Sequence, residues 1–158
     1  MDEVEKRFGY TLEPLHVDQD DPEVFYYKPV LNPHVIAGGD EFKIKSIPIQ
    51  VMDQDHGFSR TLGFRFGNIA YTTDLMALSE EAKEVLHGVH TWILGSPVTF
   101  KHPTHIHIDG ALEWIDLIKP ERAVISHLSM MLDYETLCKD LPSRVEPAYD
   151  GMIIEVED

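Results

Sequence analysis

One cysteine, Cys138, stands alone in 158 residues, so no disulfide can form within the chain. It falls in a helical-looking stretch near the end, where a small buried apolar role is expected of it rather than that of a reactive thiol. No window approaches the roughly 18 uninterrupted apolar residues of a membrane span. The opening residues, Met1-Asp2-Glu3-Val4-Glu5-Lys6, are acidic and carry no signal-peptide apolar core, which makes a cytoplasmic location the expectation. Positive charge is scarce: 13 Lys and Arg stand against 28 Asp and Glu, a formal net charge of −15. The basic residues are scattered, with no run longer than Lys6-Arg7. That argues against a nucleic-acid partner, because phosphate backbones are bound by clustered cations. The acidic runs at 18–23 and 155–158 read as solvated surface.

What is present is an ordinary globular composition, 43% hydrophobic and 26% charged, in a chain long enough for one domain with a sizeable core. Residues 1 to about 10 read as a short helix. A Pro- and Asp-rich irregular connector is expected over 11–40. From residue 41 the pattern is regular. Phe42 to Val51 alternates apolar and polar positions as a strand does, with Pro48 marking an edge or a bulge. Leu62–Phe66 and Ile69–Thr73 flank Gly67-Asn68, a hairpin with a two-residue turn. Ser79 is placed to cap a helix reaching Leu86. Trp92-Ile93-Leu94 is a short buried strand. Residues 109–118 form an amphipathic helix ended by Lys119-Pro120. Ala123–Ser126 is a second buried strand, Asp133 caps a helix over 134–140, and Gly151–Val156 closes as a strand. Strands alternating with helices indicate a layered α/β domain.

Nine histidines are many for this length, and their placement is informative. His56 follows the first strand region, Asp74 follows the hairpin, and His127 follows the strand ending at Ser126. Residues held at strand ends by a rigid sheet commonly do chemistry. The intervals are 18 and 53 residues, so any common site is assembled by the fold. Imidazole with carboxylate suits Zn, Mn or Fe, and a carboxylate can bridge two metals. Each residue also has a plain reading. A lone histidine after a strand is a hydrogen-bonded loop residue, and Asp74 is a turn residue or cap. The tract Lys101-His102-Pro103-Thr104-His105-Ile106-His107 stays equally open. It either binds metal, or caps the following helix and donates to an anion at that helix's N-terminus.

Taken in order, Gln54-Asp55-His56-Gly57, Leu62-Gly63-Phe64-Arg65-Phe66-Gly67, Ile69-Ala70-Tyr71-Thr72-Thr73-Asp74, His102-Pro103-Thr104-His105 and Ile125-Ser126-His127 resemble the later motifs of metallo-β-lactamase-fold hydrolases. Within them the series is most similar to the branch that contains phosphoribosyl 1,2-cyclic phosphate phosphodiesterase. Arg7-Phe8-Gly9-Tyr10 and Ala148-Tyr149-Asp150-Gly151-Met152 carry the resemblance to both ends of the chain. It implies an α/β fold forming the second half of a four-layer αββα sandwich. It also implies a metal-dependent hydrolase that cleaves a small phosphodiester, such as a cyclic phosphate, through a metal-bound hydroxide. By resemblance His56 ligates one metal, Asp74 bridges two and His127 ligates the second, the metals being Zn or Mn. His105 matches the histidine used near the substrate phosphate, as general acid or charge-stabilising donor.

The family's His-x-His-x-Asp-His loop is absent from this sequence. His87 and His90 have the wrong spacing, and His105-x-His107 lacks the following Asp-His. The expectation is therefore a single, partial domain over 1–158, weak or inactive as it stands. Its missing N-terminal half would come from elsewhere, or the chain would self-associate. A non-catalytic half-domain is the alternative. A relative of the nuclease that matures tRNA 3′ ends is a further one, against which the charge of −15 weighs.

Overall fold

The computed structural model describes residues 2–12 and 31–155. The chain forms two compact units, 1–36 and 37–158. In the first, helix α1 (Asp2–Phe8) runs into a 3-10 turn over Gly9–Thr11, and the main chain of Leu31 donates to Thr11 O at 2.8 Å. Most of the expected connector, residues 13–30, lies outside the described residues.

The second unit is built on one seven-stranded sheet whose spatial order follows the chain. Strands β1 (Glu41–Ile44), β2 (Ile47–Asp55), β3 (Arg60–Phe66) and β4 (Ile69–Thr72) form an antiparallel meander. Strands β5 (Thr91–Gly95), β6 (Arg122–Ser126) and β7 (Val145–Pro147) continue in parallel from β4. Parallel neighbours need crossovers, and helices supply them: α2 (Glu80–Leu86), α3 (Ile108–Ile118) and α4 (Tyr134–Asp140). Among the described residues no helix is long and apolar enough to cross a membrane.

Local chemistry sets most boundaries as the sequence implies. Gly67 takes φ +57 in the β3–β4 turn, and Phe66 faces Ile69 across it. Ser79 accepts from Ala82 N and Asp133 from Thr136 N, so both caps are made by side chains. Helix α3 stops where Lys119 turns left-handed, one residue before Pro120.

Three expectations are corrected. The alternating stretch 42–51 is a hairpin, with Lys45 at φ 55 in its turn and Ile44 facing Ile47. Pro48 faces Lys43 of β1 and lies beyond the end of the β3 ladder, which begins at Ile49, so it has a strand on one side only. Residues 151–155 form no strand, and Val156 lies outside the described residues; the last strand among the described residues is Val145–Pro147, which lies parallel to β6. Cys138 is exposed, because Leu137 is the one buried residue of the short helix α4.

Register places Ala70, Trp92, Ala123 and Val145 in one row, with Met52, Leu94 and Ile125 beside it. These join Leu86 of α2, Ala111 and Ile115 of α3 and Leu137 of α4 in a single buried cluster, so the three helices cover one face. The other face is apolar too. Val51, Phe64, Tyr71, Ile93 and Val124 stand in a row across five strands, Val124 fully buried and Tyr71 39% exposed. A sheet apolar on both faces with helices on one is what half of a four-layer sandwich requires.

Candidate metal centre

The ends of β2, β4 and β6 and the loop after β5 meet beyond the edge of the sheet. His56 follows the last residue of β2 and turns back at once: its amide donates to Ser59 O, and Gly57 N donates to Asp55 Oδ1 at 2.8 Å. Gly57 has φ +71, and a Cβ there would lie 2.4 Å from Pro103 O. The turn thus docks its bare main chain against the histidine-rich loop. Gly57→Ala should lower the melting temperature by about 4 °C or more, since the left-handed backbone alone costs a side chain about 1–2 kcal/mol and the carbonyl must also move. A melt unchanged from the parent would show that this contact is not required.

Asp74 leaves β4 through Thr73 and takes φ 53; His127 leaves β6 and takes φ 61. Left-handed backbone at Asp and His is uncommon and is held by surrounding contacts. Around Asp74 the contacts come from Gln54, which is 1% exposed. Gln54 Nε2 donates to Thr73 O at 2.8 Å and to Thr61 Oγ1 at 3.0 Å, and Thr61 Oγ1 donates to Asp74 O at 2.7 Å. Met76 N also donates to Asp55 O, which ties the segment after Asp74 to the base of the His56 turn.

The loop after β5 is pinned at both ends. Ser96 Oγ donates to Ile106 O, Ile106 N donates to Leu75 O, and Ile108 N donates to Val98 O. Between these points His105 points inward. Its Nε2 lies 3.2 Å from Asp74 Oδ1 and 3.3 Å from His127 Nε2, and His127 Nε2 lies 3.3 Å from the same Asp74 oxygen. His56 and His105 rings meet edge to face at 4.7 Å. Donor atoms of His56, Asp74 and His105 all fall within 4.8 Å of one another.

All four sequence-singled residues, His56, Asp74, His105 and His127, are therefore brought together. Burial holds the His105 imidazole below its ordinary value. His56 and His127 act in the same sense, while the Asp74 carboxylate opposes them. One carboxylate oxygen converging with imidazole nitrogens at these separations is a donor set that fits a divalent cation. His90 stands apart with Glu121 at 3.3 Å, and His107 occupies the N-cap position of α3 without a side-chain cap bond.

Sequence reasoning missed Gln54, Thr61 and Thr104. The first two hold the Asp74 turn, and Thr104 touches His102 and two histidines of the site. His56 Nδ1 lies 2.7 Å from Thr104 O, and Thr104 Oγ1 lies 2.7 Å from His105 Nδ1.

Residues 2–128 match the sequence model of the Beta-lactamase superfamily domain. The chain is 29% identical over 114 residues to an octanoyltransferase of Porphyromonas gingivalis (strain ATCC BAA-308 / W83), a match covering 70% of this chain and 23% of that protein. Its structure resembles a diphosphatase from the PhnP family with a TM-score of 0.73 at 26% identity, covering 77% of this chain and 48% of that one. It also resembles the short form of human tRNase Z, ELAC1, with a TM-score of 0.57 at 16% identity and coverages of 74% and 46%. Zn(2+)-bound PqqB from Methylobacterium extorquens gives 0.60 at 15% identity, with coverages of 77% and 55%. The chain spans about half the length of these solved structures and under a quarter of the curated relative. With two thirds or more of its length matched by sequence and by fold, the chain belongs to the beta-lactamase superfamily and shares the fold of its metallo-hydrolases, a PhnP-family diphosphatase among them.

Proposed function

We propose that this chain carries half of the catalytic centre of a metal-dependent hydrolase that cleaves a small phosphodiester, a cyclic phosphate in particular. The observation that carries the reading is the convergence of Asp74 Oδ1, His105 Nε2 and His127 Nε2 within 3.2–3.3 Å of one another. His56, Asp74 and His127 would hold Zn or Mn, and the Zn(2+) of the PqqB structure supports the first. When bound, such an ion supplies Lewis-acid polarisation of a phosphoryl oxygen and a water acidic enough to act near neutral pH.

The side chains have separate work. Asp74 sets the negative charge of the site between three imidazoles. His105, with its side chain 18% exposed against 45% for His127, would meet the substrate phosphate. A phosphodiester anion beside it favours its imidazolium, offsetting the burial that lowers its pKa. As water oxygen adds to phosphorus and the ester P–O bond breaks, the leaving alkoxide takes the proton from His105 Nε2. A net charge of −15 suits a small substrate better than a nucleic acid. The apolar row Val51–Phe64–Tyr71–Ile93–Val124 is where a further sheet, or a second copy of the chain, would pack.

A second reading, a half-domain that binds metal without turnover, is favoured by the lack of His-x-His-x-Asp-His in the sequence. Calorimetric titration with Zn2+ and Mn2+, beside cleavage of bis(p-nitrophenyl) phosphate and a nucleoside 2′,3′-cyclic phosphate, separates the two. Metal binding with slow, chelator-sensitive cleavage is the expected result. Binding without cleavage would select the second reading, and no binding of either ion would sink both.

A further inference from the structure

Strand β1 is the outer strand of the sheet, and among the described residues no strand lies beyond it. Its main chain alternates in direction. Ile44 and Ile47 close a two-residue turn, which makes them a hydrogen-bonded pair, and Phe42 with Ile49 is the next such pair. The contacts just before the strand agree: Val51 N donates to Asp40 O, and Gly39 N donates to Val51 O. Pro48, opposite Lys43, has no N–H to give, and in a non-bonded pair none is needed. Phe42 and Ile44 thus turn their N–H and C=O groups to β2, and Glu41 and Lys43 turn theirs off the edge. The side chains of Glu41, Lys43 and Ile44 are exposed. Free donors and acceptors in a row on an exposed edge are a template for another strand.

Parity and charge decide which strand fits. An antiparallel partner bonds only where an outward residue meets an outward residue. A second copy of β1 can satisfy this in more than one register. Glu41 opposite the partner's Glu41 sets like charges face to face. It also brings Lys43 to the partner's Gly39, whose N–H is already given to Val51. Lys43 opposite the partner's Lys43 is again a like-charge pair, and it brings Glu41 to the partner's Lys45, which has left the strand at φ 55. The remaining register sets Glu41 opposite the partner's Lys43 and, by the two-fold axis, Lys43 opposite the partner's Glu41. It alone bonds every outward N–H and C=O of both residues and makes the cross-strand ion pair twice. Gln50 Nε2 donates to Glu41 Oε1 at 2.8 Å, which steadies this carboxylate and leaves Oε2 for the lysine. Phe42 meets the partner's Phe42 on the axis, in the non-bonded position where side chains come closest.

We propose that β1 is a self-pairing edge: two copies of this chain join antiparallel through Glu41–Ile44 into one continuous sheet, each Glu41 facing the other copy's Lys43. The proposal is independent of the reaction at the metal centre. A lysine on a short edge strand also serves to block pairing, but here the favoured register supplies the carboxylate that answers it. The net charge of −15 on each copy opposes approach, yet at about 0.15 M salt it is screened beyond about 8 Å and the local pairs decide. The contact is isologous, so it closes at a dimer and leaves no edge for a filament. Paired strands of 4 residues fall below the roughly 1,200 Å² of a standard interface, which makes the dimer a weak one.

The test is sedimentation velocity of the whole chain, with chelator present, at about 0.15 M salt and from about 10 μM to 1 mM protein. The parent should pass from monomer to dimer across that range. Glu41→Lys and Lys43→Glu should each weaken dimerisation about 10- to 100-fold, because an attraction becomes a repulsion twice per dimer. The two substitutions together should restore it to within about threefold of the parent. Lys43→Pro removes an N–H that has no partner within the chain, so the monomer should keep its fold and the dimer should be lost. Amide exchange reads the register directly. Protection at Glu41 and Lys43 should rise with protein concentration, while that at Phe42 stays constant. Tyr71→Lys, on the apolar row, should leave the dimer unchanged. A parent that stays monomeric to about 1 mM would overturn the proposal. So would a dimer indifferent to the charge variants, one abolished by Tyr71→Lys, or one in which the Glu41 and Lys43 amides gain no protection.

Discussion

Asp74→Asn should lose divalent-metal binding by more than the roughly 10- to 100-fold that removal of an outer partner costs, and any hydrolysis should go with it. Asp74 is the carboxylate on which the site turns. One of its oxygens lies 3.2 Å from His105 and 3.3 Å from His127, and its donor atom is within 4.8 Å of His56. Without its charge, only the imidazoles of His56 and His127 are left to hold a cation. Asparagine is the informative substitution because it tolerates the left-handed backbone that Asp74 adopts at φ 53 and keeps the side-chain shape. Its melting temperature should stay near that of the parent. Asp74→Ala should lose the metal as well, but also some stability, since alanine has no local hydrogen bond with which to offset the same φ. His105→Ala sharpens the comparison. As the group that meets the phosphate, His105 should lower turnover about 10²- to 10⁴-fold with metal content nearly intact. If His105→Ala strips the metal as Asp74→Asn does, His105 is a ligand and the division of roles proposed here is wrong. If it changes only the melting temperature, neither role holds.

The residues that fill this site were legible singly, as histidine and aspartate at strand ends, because side-chain type and hydrophobic patterning are local properties. Their convergence is implied by the family resemblance and not by residue type or spacing, since it depends on register and on partners far along the chain. Gln54 reaches Thr73 across 19 residues and His56 reaches Thr104 across 48, and nothing in the spacing of glutamine or threonine announces that. The fold divides along the same line. Gly67-Asn68, Ser79, Asp133 and Lys119-Pro120 each carry their turn or cap chemistry in one or two residues, and each acts where the sequence places it. The β1–β2 turn escaped because Lys45-Ser46 contains no glycine or asparagine. Its trace was a slip in parity: the apolar residues sit at 42 and 44, then at 47, 49 and 51, and a two-residue turn makes just such a change. The closing strand was misplaced for the opposite reason. Residues 152–154 are apolar and look like a strand, but Val145–Pro147, short and ended by proline, is the segment with a partner in β6.

Trp92→Ala should be the most destabilising single change in the second unit, by about 3–5 kcal/mol for the lost volume and area. Trp92 is fully buried in the middle of the sheet, with Ala70 beside it on β4 and Ala123 on β6, both fully buried as well. A large residue between two small ones means that the indole fills the space its strand neighbours leave open, and neither alanine is long enough to fill the hole. The substitution also strands a polar group. Trp92 Nε1 donates to Thr72 Oγ1 at 2.9 Å, and Thr72 is fully buried, so its hydroxyl would lose that partner at a further cost of about 1–3 kcal/mol. Against a typical total of about 5–15 kcal/mol, that sum threatens the fold itself. Thr72 lies two residues before Asp74, so the damage should reach the site before the whole unit unfolds. Two milder variants separate the contributions. Trp92→Phe retains most of the apolar bulk and loses the bond; Thr72→Val keeps the shape and strands the indole N–H. Each should cost about 1–3 kcal/mol in urea unfolding followed by circular dichroism, well short of the alanine variant. A Trp92→Ala protein that unfolds within about 1 kcal/mol of the parent would mean that the small–large–small row across β4, β5 and β6 is not the packing that holds this sheet to its helices.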